Sequence, residues 1–215
     1  MDGGGRTLTI ACGALAREIV ALKRLNGWDA LDIECLPPEL HNRPEKIPAA
    51  VKSAIDGARG RYARIFVAYA DCGTGGQLDA VLAAEQIERL PGAHCYEFYA
   101  GTAAFAELAG AEPGTFYLTD FLVRHFERLV IEGLGLDRHP ELLPQYFGNY
   151  TRLVYLAQLD DAALSAAAEA AATRLGLRYE RRPTGYGDLA PGLARAVGVP
   201  VASIKHRKEV AAWPR

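Results

Sequence analysis

Apolar and polar positions along this chain follow two alternating periods. Short unbroken apolar runs are separated by stretches with an apolar residue every third or fourth position. Residues 7–12 read as a strand, and Ala14, Leu15, Ile19, Val20, Leu22 and Leu25 then recur at helical spacing. Gly27 suits the C-terminal cap of that helix. Residues 30–36 read as a second strand, followed by the loop Leu36-Pro37-Pro38-Glu39-Leu40-His41-Asn42-Arg43-Pro44. Pro44 can open the next helix, whose apolar face carries Ile47, Val51 and Ile55. Residues 64–70 are nearly all apolar, as a central strand covered on both faces should be. Cys72-Gly73-Thr74-Gly75-Gly76 leads into a helix over Leu78–Glu88; 94–98 reads as a fourth short strand or turn, and Thr102–Leu108 begins another helix.

The second part repeats the plan. Thr115–Leu118 is strand-like, and Asp120 is placed to cap an amphipathic helix to about Leu134. Residues 138–150 read as a short helix and loop, and Arg152–Ala157 as a strand. Asp160-Asp161 suits the cap of an alanine-rich helix to about Leu175, 177–182 is a further strand, and Gly185, Gly187 and Pro191 mark a loop before a last helix. Strands alternating with helices imply an α/β fold with a largely parallel open sheet flanked by helices, of the doubly wound type. No linker divides the chain. The expectation is a disordered start at 1–6, one α/β domain over 7–200 and a basic tail over 201–215, with two similar β-α halves as a variant of that plan.

Composition changes little. The 215 residues are 50% hydrophobic and 23% charged, an ordinary globular balance. A net charge of −2 gives no field favouring nucleic acid or an anionic membrane. No apolar run reaches the roughly 20 residues of a membrane span, and the polar start lacks a secretory h-region. A cytoplasmic location is expected, with a homo-oligomer left open.

The four cysteines change the picture more. Without a secretory leader they read as thiols or metal ligands rather than a disulfide framework. Cys12, Cys35, Cys72 and Cys95 each fall at or near the end of a strand-like run. The carboxyl ends of parallel strands are where open α/β sheets bind ligands. Cys12 and Cys72 each precede glycine at a β-to-α turn, facing a helix start that favours thiolate. If strands one and three are neighbours, these two thiols meet across the switch point. Cys95 would add a third thiolate and His41 a fourth ligand, with His94 as the alternative. Such a set suits zinc, and also copper(I) or an iron–sulfur cluster. Cys35, before two prolines, reads as a core residue, since free cysteine packs as a small hydrophobe.

Gly73, Thr74, Gly75 and Gly76 form a glycine-rich turn that could bind a small-molecule substrate on its N–H groups. It lacks the lysine of a P-loop, and placing Cys72 in a tight turn is the simpler role. Asp71 is placed to orient a ligand or to cap the following helix, capping being the simpler role. His125, His139 and His206 read as surface or turn residues. Tyr96, Phe98, Tyr99, Tyr146, Phe147 and Tyr150 read as core, or as an apolar wall for a flat cofactor if they converge on the cysteines.

Ala11-Cys12-Gly13, the Leu36–Pro44 loop, Tyr69-Ala70-Asp71-Cys72-Gly73-Thr74-Gly75-Gly76, His94-Cys95-Tyr96-Glu97 and Phe116-Tyr117-Leu118-Thr119-Asp120-Phe121 together resemble the bacterial and archaeal domain of unknown function 1638. Ala70 stands where many relatives have glycine. The resemblance implies an association with corrinoid-dependent methyltransferases, their corrinoid proteins and reductive activators. The leading expectation is therefore a zinc-thiolate enzyme or enzyme component in corrinoid-linked one-carbon methyl transfer, with a corrinoid protein or methyltransferase as partner. A non-catalytic metal or corrinoid accessory is one alternative. A thiol–disulfide protein pairing Cys12 with Cys72 is the other.

Overall fold

A computed structural model gives the structure of residues 5–205. Along it run β1 (Thr7–Cys12), α1 (Ala16–Asn26), β2 (Leu31–Leu36), α2 (Ile47–Ala58), β3 (Arg64–Ala68), α3 (Gln77–Glu85), α4 (Glu97–Ala100), α5 (Thr102–Ala111), β4 (Thr115–Thr119), α6 (Asp120–Arg124), α7 (Leu143–Phe147), β5 (Arg152–Ala157), α8 (Ala162–Leu175), β6 (Arg178–Pro183) and α9 (Leu189–Ala196). The expected α/β architecture, parallel and flanked by helices, is present as two β-α halves. Each half has its own three-stranded sheet. Chain contacts group residues up to Phe98 with those from Tyr186 onward, and Tyr99–Gly185 into a second compact unit.

In the first unit the strand order is β2-β1-β3, all parallel, with Cys12 opposite Leu36 and Ala11 opposite Ala68. β1 is central and buried along its whole length. Its polar positions, Thr7 and Thr9, are buried along with Leu8 and Ile10, as in a strand covered on both faces. α1 contributes Ile19 and Leu22 to the core, α2 Ile47, Val51 and Ile55, and α9 Leu189 and Leu193. Each such side chain is worth about 1.5–3 kcal/mol when fully buried. Gly27 caps α1 in the left-handed conformation, at φ 64°, as expected. Beyond β3 a single parallel bridge joins Val67 to Arg89, extending the order to that of flavodoxin-like sheets. This bridge, and not 94–98, is the fourth strand position. Residues 94–98 form a turn entering α4, because the N–H groups of Glu97 and Phe98 bond back to His94 and Cys95.

In the second unit the order is β4-β5-β6, parallel and in chain sequence. β5 is buried throughout, and α8 packs through Leu164, Ala168, Ala171, Ala172 and Leu175. Asp161 caps α8 by accepting from the N–H groups of Ala163 and Leu164. The cap expected of Asp120 belongs to Thr119, whose hydroxyl accepts from Leu122 N–H. The expected continuous helix to about Leu134 stops at Arg124 and resumes as a π-helical turn over Glu127–Glu132. Phe147 and Tyr150 pack edge-on against Phe116. They are core residues of this unit rather than a cofactor wall.

Among the described residues no helix is long and apolar enough to cross a membrane. Most of the expected basic tail, from His206 on, lies outside the described residues, as do residues 1–4 of the expected disordered start. Within the described part, Arg6 pairs with Asp32 and Lys205 N–H donates to Asn26.

Candidate metal centre

The chain reverses direction across the sheet between β1 and β3, and the thiols gather there. Cys12 ends the buried central strand, is itself fully buried, and its Sγ accepts from Ala14 N–H at 3.4 Å. Gly13 eases a close approach: a Cβ there would lie 3.0 Å from Leu36 O and 3.1 Å from Pro38 Cδ, tighter than ordinary contact. The segment so admitted continues as a tight turn, Pro38–Asn42, which presents His41. His41 Nδ1 lies 3.1 Å from Pro38 O and 3.7 Å from Cys12 Sγ. A proton donated from Nδ1 to Pro38 O leaves Nε2 with its lone pair, the way metal-ligating imidazoles are held.

Cys72 and Cys95 are joined by backbone. Asp71 N–H donates to Gly92 O and Cys72 N–H to Ala93 O, at 3.0 and 2.8 Å. The buried Glu97 carboxylate accepts from Ala93 N–H, fixing the turn. As a result Cys72 Sγ lies 3.1 Å from Cys95 Sγ, both buried. Cys72 has φ 51°, a left-handed conformation that costs a residue with a Cβ about 1–2 kcal/mol. Strain of that kind persists where the surroundings over-determine the backbone.

The surroundings here are the Gly73–Gly76 turn. Gly73, Gly75 and Gly76 all have positive φ. Asp71 accepts from the Thr74 hydroxyl at 2.7 Å and from the N–H groups of Gly75 and Gly76 at 3.2 and 2.8 Å. Those bonds, Thr74's first, hold the Asp71 carboxyl below its ordinary range. The N–H groups of Gly75 and Gly76, expected to meet a substrate, are thus engaged by a carboxylate of the same chain. The cap of α3 is Gly76 rather than Asp71, so the loop's structural work is to set Cys72.

His41, Cys72 and Cys95 offer ligand atoms that all lie within 4.8 Å of one another. Of the four expected ligands, the structure brings these three into one mutual set, and Cys12 adjoins it through His41. His94 stacks on Tyr96 instead, with ring centroids 4.9 Å apart. Cys35 is exposed on β2, which corrects its reading as a core residue: β2 is an edge strand, and position 35 faces outward. His125 packs on Phe121 and His139 pairs with Glu141, as surface and turn residues would.

Sequence reasoning missed Tyr69. It sits one residue past β3, fully buried, its ring nearly parallel to His41 at 6.3 Å. Cys12 is the hydrogen-bonding neighbour of its hydroxyl. Burial first, then the nearby Cys12 and Cys95 sulfurs, keep the phenol protonated far above the usual range. An aromatic at the end of an apolar run looks like core. The faint signal was a hydroxyl in an otherwise apolar stretch, three residues before Cys72.

The protons are distributed unevenly. Cys72 is held down to about 5, first by its hydrogen bond with Cys95 and further by His41, against burial. Cys95 is pushed well above the ordinary thiol range, by Cys72 first and burial second. Burial opposes charge on His41, but hydrogen bonds to Cys12 and Cys72 overcome it and carry its pKa to about 11. Without an ion the site therefore holds a thiolate, a thiol and an imidazolium.

This donor set fits zinc. Donors about 2.3 Å from one tetrahedral ion lie about 3.7 Å from each other, so loading would part the Cys72 and Cys95 sulfurs, now 3.1 Å apart, and draw wider pairs of the set together. Two sulfurs and an imidazole are the soft-to-borderline ligands such an ion prefers. Two hollows lie elsewhere: a cavity of about 570 Å³ by Arg124, Arg128 and Arg174, and one of about 340 Å³ by Arg59 and Tyr62.

Fold and site together define an α/β protein with a candidate cysteine–histidine metal centre at the reversal of a parallel sheet. A family model described as protein of unknown function (DUF1638) matches residues 35–193. The chain belongs to that family. The matched span includes His41, Cys72 and Cys95, and Cys12 precedes it. No curated protein and no solved structure matches the chain.

Proposed function

We propose that this chain is a metal-thiolate protein in which His41, Cys72 and Cys95 hold a zinc-like ion, with Cys12 beside them. The observation behind this is the mutual 4.8 Å spacing of three donors on separate segments. Chance clustering of buried thiols does not call for an imidazole in the same set. A bound zinc would act as a Lewis acid, keeping a coordinated thiol ionised or polarising a small-molecule substrate. The protein's part is to give up the Cys95 and His41 protons on loading, so apparent affinity rises with pH. Pro38 O keeps the imidazole oriented, and the Asp71-organised turn holds Cys72 in place.

Within this proposal the site serves corrinoid-linked one-carbon methyl transfer, as an enzyme component working with a corrinoid protein or methyltransferase. Its support is the association implied by the family, together with thiolate chemistry suited to passing a methyl group. With methylcobalamin and a small thiol as probes, metal-dependent loss of the methylcobalt absorbance supports an enzyme. Binding without turnover supports an accessory that carries metal or corrinoid.

The metal proposal is tested by elemental analysis of protein purified without added metal and by chelator competition. Near-stoichiometric zinc is expected. Cys72→Ser should weaken zinc by at least about a hundredfold, and Cys35→Ser should not change it. Equal loss in both variants, or a metal-free wild type that refuses zinc, would sink the proposal. A redox reading has one observation in its favour, the 3.1 Å approach of Cys72 and Cys95. That approach moves the expected pair from Cys12–Cys72 to Cys72–Cys95. A small disulfide would oxidise both thiols and leave as two thiols, and zinc-free protein 2 Da lighter (about two protons) after glutathione disulfide would favour that reading.

A further inference from the structure

The second unit holds a hollow that the metal reading does not use. Its volume is about 570 Å³, within the range of small-molecule pockets. α8 forms one side, and the segment from Val123 to Arg128 forms the other. α6 stops at Arg124, and Leu129 N–H bonds back to His125 O as the π-helical turn begins. Arg124 and Arg128, four positions apart, both line the hollow, and Arg174 joins them from the last turn of α8. Like charges at that spacing along a helical segment repel, a cost that a bound anion offsets.

The three guanidiniums face one lining carboxylate, Glu127, and Arg174 already engages it. Arg124 is in no ion pair among the described residues, though its charge bears on the buried Asp120. The lining is thus positive by two charges in a chain whose net charge is −2. Apart from His125, whose ring packs on Phe121, the remaining lining is apolar. Val123, Phe126 and Ala171 are buried, while Ala167 and Ala170 stay exposed.

We propose that this hollow binds a small phosphomonoester whose organic part is apolar. Guanidiniums take phosphate oxygens in bidentate pairs. Two surplus charges match a phosphomonoester dianion better than the single charge of a carboxylate or sulfate ester. An apolar group carried on the phosphate covers Phe126 and the alanines, which inorganic phosphate cannot do. Binding is reversible, and no covalent bond forms or breaks. The inference does not rest on the metal centre, which belongs to the first unit.

The test is calorimetric titration of the full chain at pH 8 with phenyl phosphate, phenyl sulfate and inorganic phosphate. Phenyl phosphate should bind one to one with a Kd below about 1 mM, and the other two at least about tenfold more weakly. Arg124→Gln should weaken phenyl phosphate at least about tenfold. Arg138→Gln removes the same charge outside the lining and should change it by less than about threefold. Ala170→Glu places a carboxylate one turn before Arg174, so binding should be lost while the melting temperature stays within about 2 °C of wild type. Cys72→Ser should bind phenyl phosphate as wild type does. No saturable binding by wild type, equal losses in Arg124→Gln and Arg138→Gln, or inorganic phosphate binding as tightly as the ester overturns the proposal. Loss of binding in Cys72→Ser also overturns it, because the phosphate would then sit at the metal centre. A chain that refuses zinc yet binds phenyl phosphate supports this proposal and sinks the metal one alone.

Discussion

Both units carry a parallel three-stranded sheet with a polar cluster where strands end, but one cluster is built of thiols and an imidazole and the other of a carboxyl, a phenol and an amide. In the first unit the order β2-β1-β3 makes the chain reverse, so connections leave β1 and β3 in opposite directions and a crevice opens between them. Cys12 and Cys72 come from those two ends. In the second unit the order β4-β5-β6 has no reversal. There the ends are closed by side chains of the unit itself. Asp120 N–H donates to Gln158 Oε1, while Asp120 Oδ1 accepts from the Tyr155 hydroxyl and Gln158 N–H, at 2.7 and 3.0 Å. Gln158 Nε2 donates onward to Leu156 O. Similar secondary structure thus has different consequences, and topology decides between them.

The sharpest way to break the comparison is to disturb each cluster and follow metal binding. Asp71→Asn weakens acceptance from Thr74, Gly75 and Gly76 and loosens Cys72. Zinc affinity should fall about tenfold, within the range seen for groups that orient metal ligands. Asp120→Asn should leave zinc affinity unchanged in the same competition assay. Comparable losses in both variants would erase the distinction between the units.

A smaller effect sharpens the second unit's role. Burial raises the Asp120 pKa above the ordinary carboxyl value, against the opposing bond from Tyr155. The folded state therefore binds this proton more tightly than the unfolded chain does. Its contribution to stability is complete below the unfolded pKa of about 4 and is lost as pH rises through the higher folded value. Asp120→Asn has no such proton, so its stability relative to wild type should improve as pH rises from about 4 towards 7. Urea unfolding across that range would show it, and a parallel pH dependence in both proteins would contradict it.

Much of this was legible in the sequence, for identifiable reasons. β5 announced itself through Leu153–Ala157, because strands buried on both faces are nearly continuous in apolar residues. Gly27 and Asp161 marked helix ends because caps demand particular residues. Cys12, His41, Cys72 and Cys95 were singled out from strand ends and a proline-rich loop, and three of them meet. The misses are equally physical. The fourth strand position is a lone bridge at Arg89, between Glu88 and Leu90, while His94–Phe98, read as a short strand or turn, is the turn. A short apolar run cannot tell the two apart. Asp120 looked like a cap but lies in a buried network whose partners are more than thirty positions away. Tyr69 was hidden for a like reason, since whether a buried hydroxyl is paired depends on neighbours that no local pattern reveals.

The central claim is that His41, Cys72 and Cys95 form one metal centre in the first unit. X-ray absorption at the zinc edge, on the zinc-loaded full chain, tests it most directly. The account predicts a shell of two sulfurs at about 2.3 Å with imidazole scattering beyond, reduced to one sulfur or lost in Cys72→Ser. An all-oxygen shell, or a wild-type shell that Cys72→Ser leaves unchanged, would contradict it.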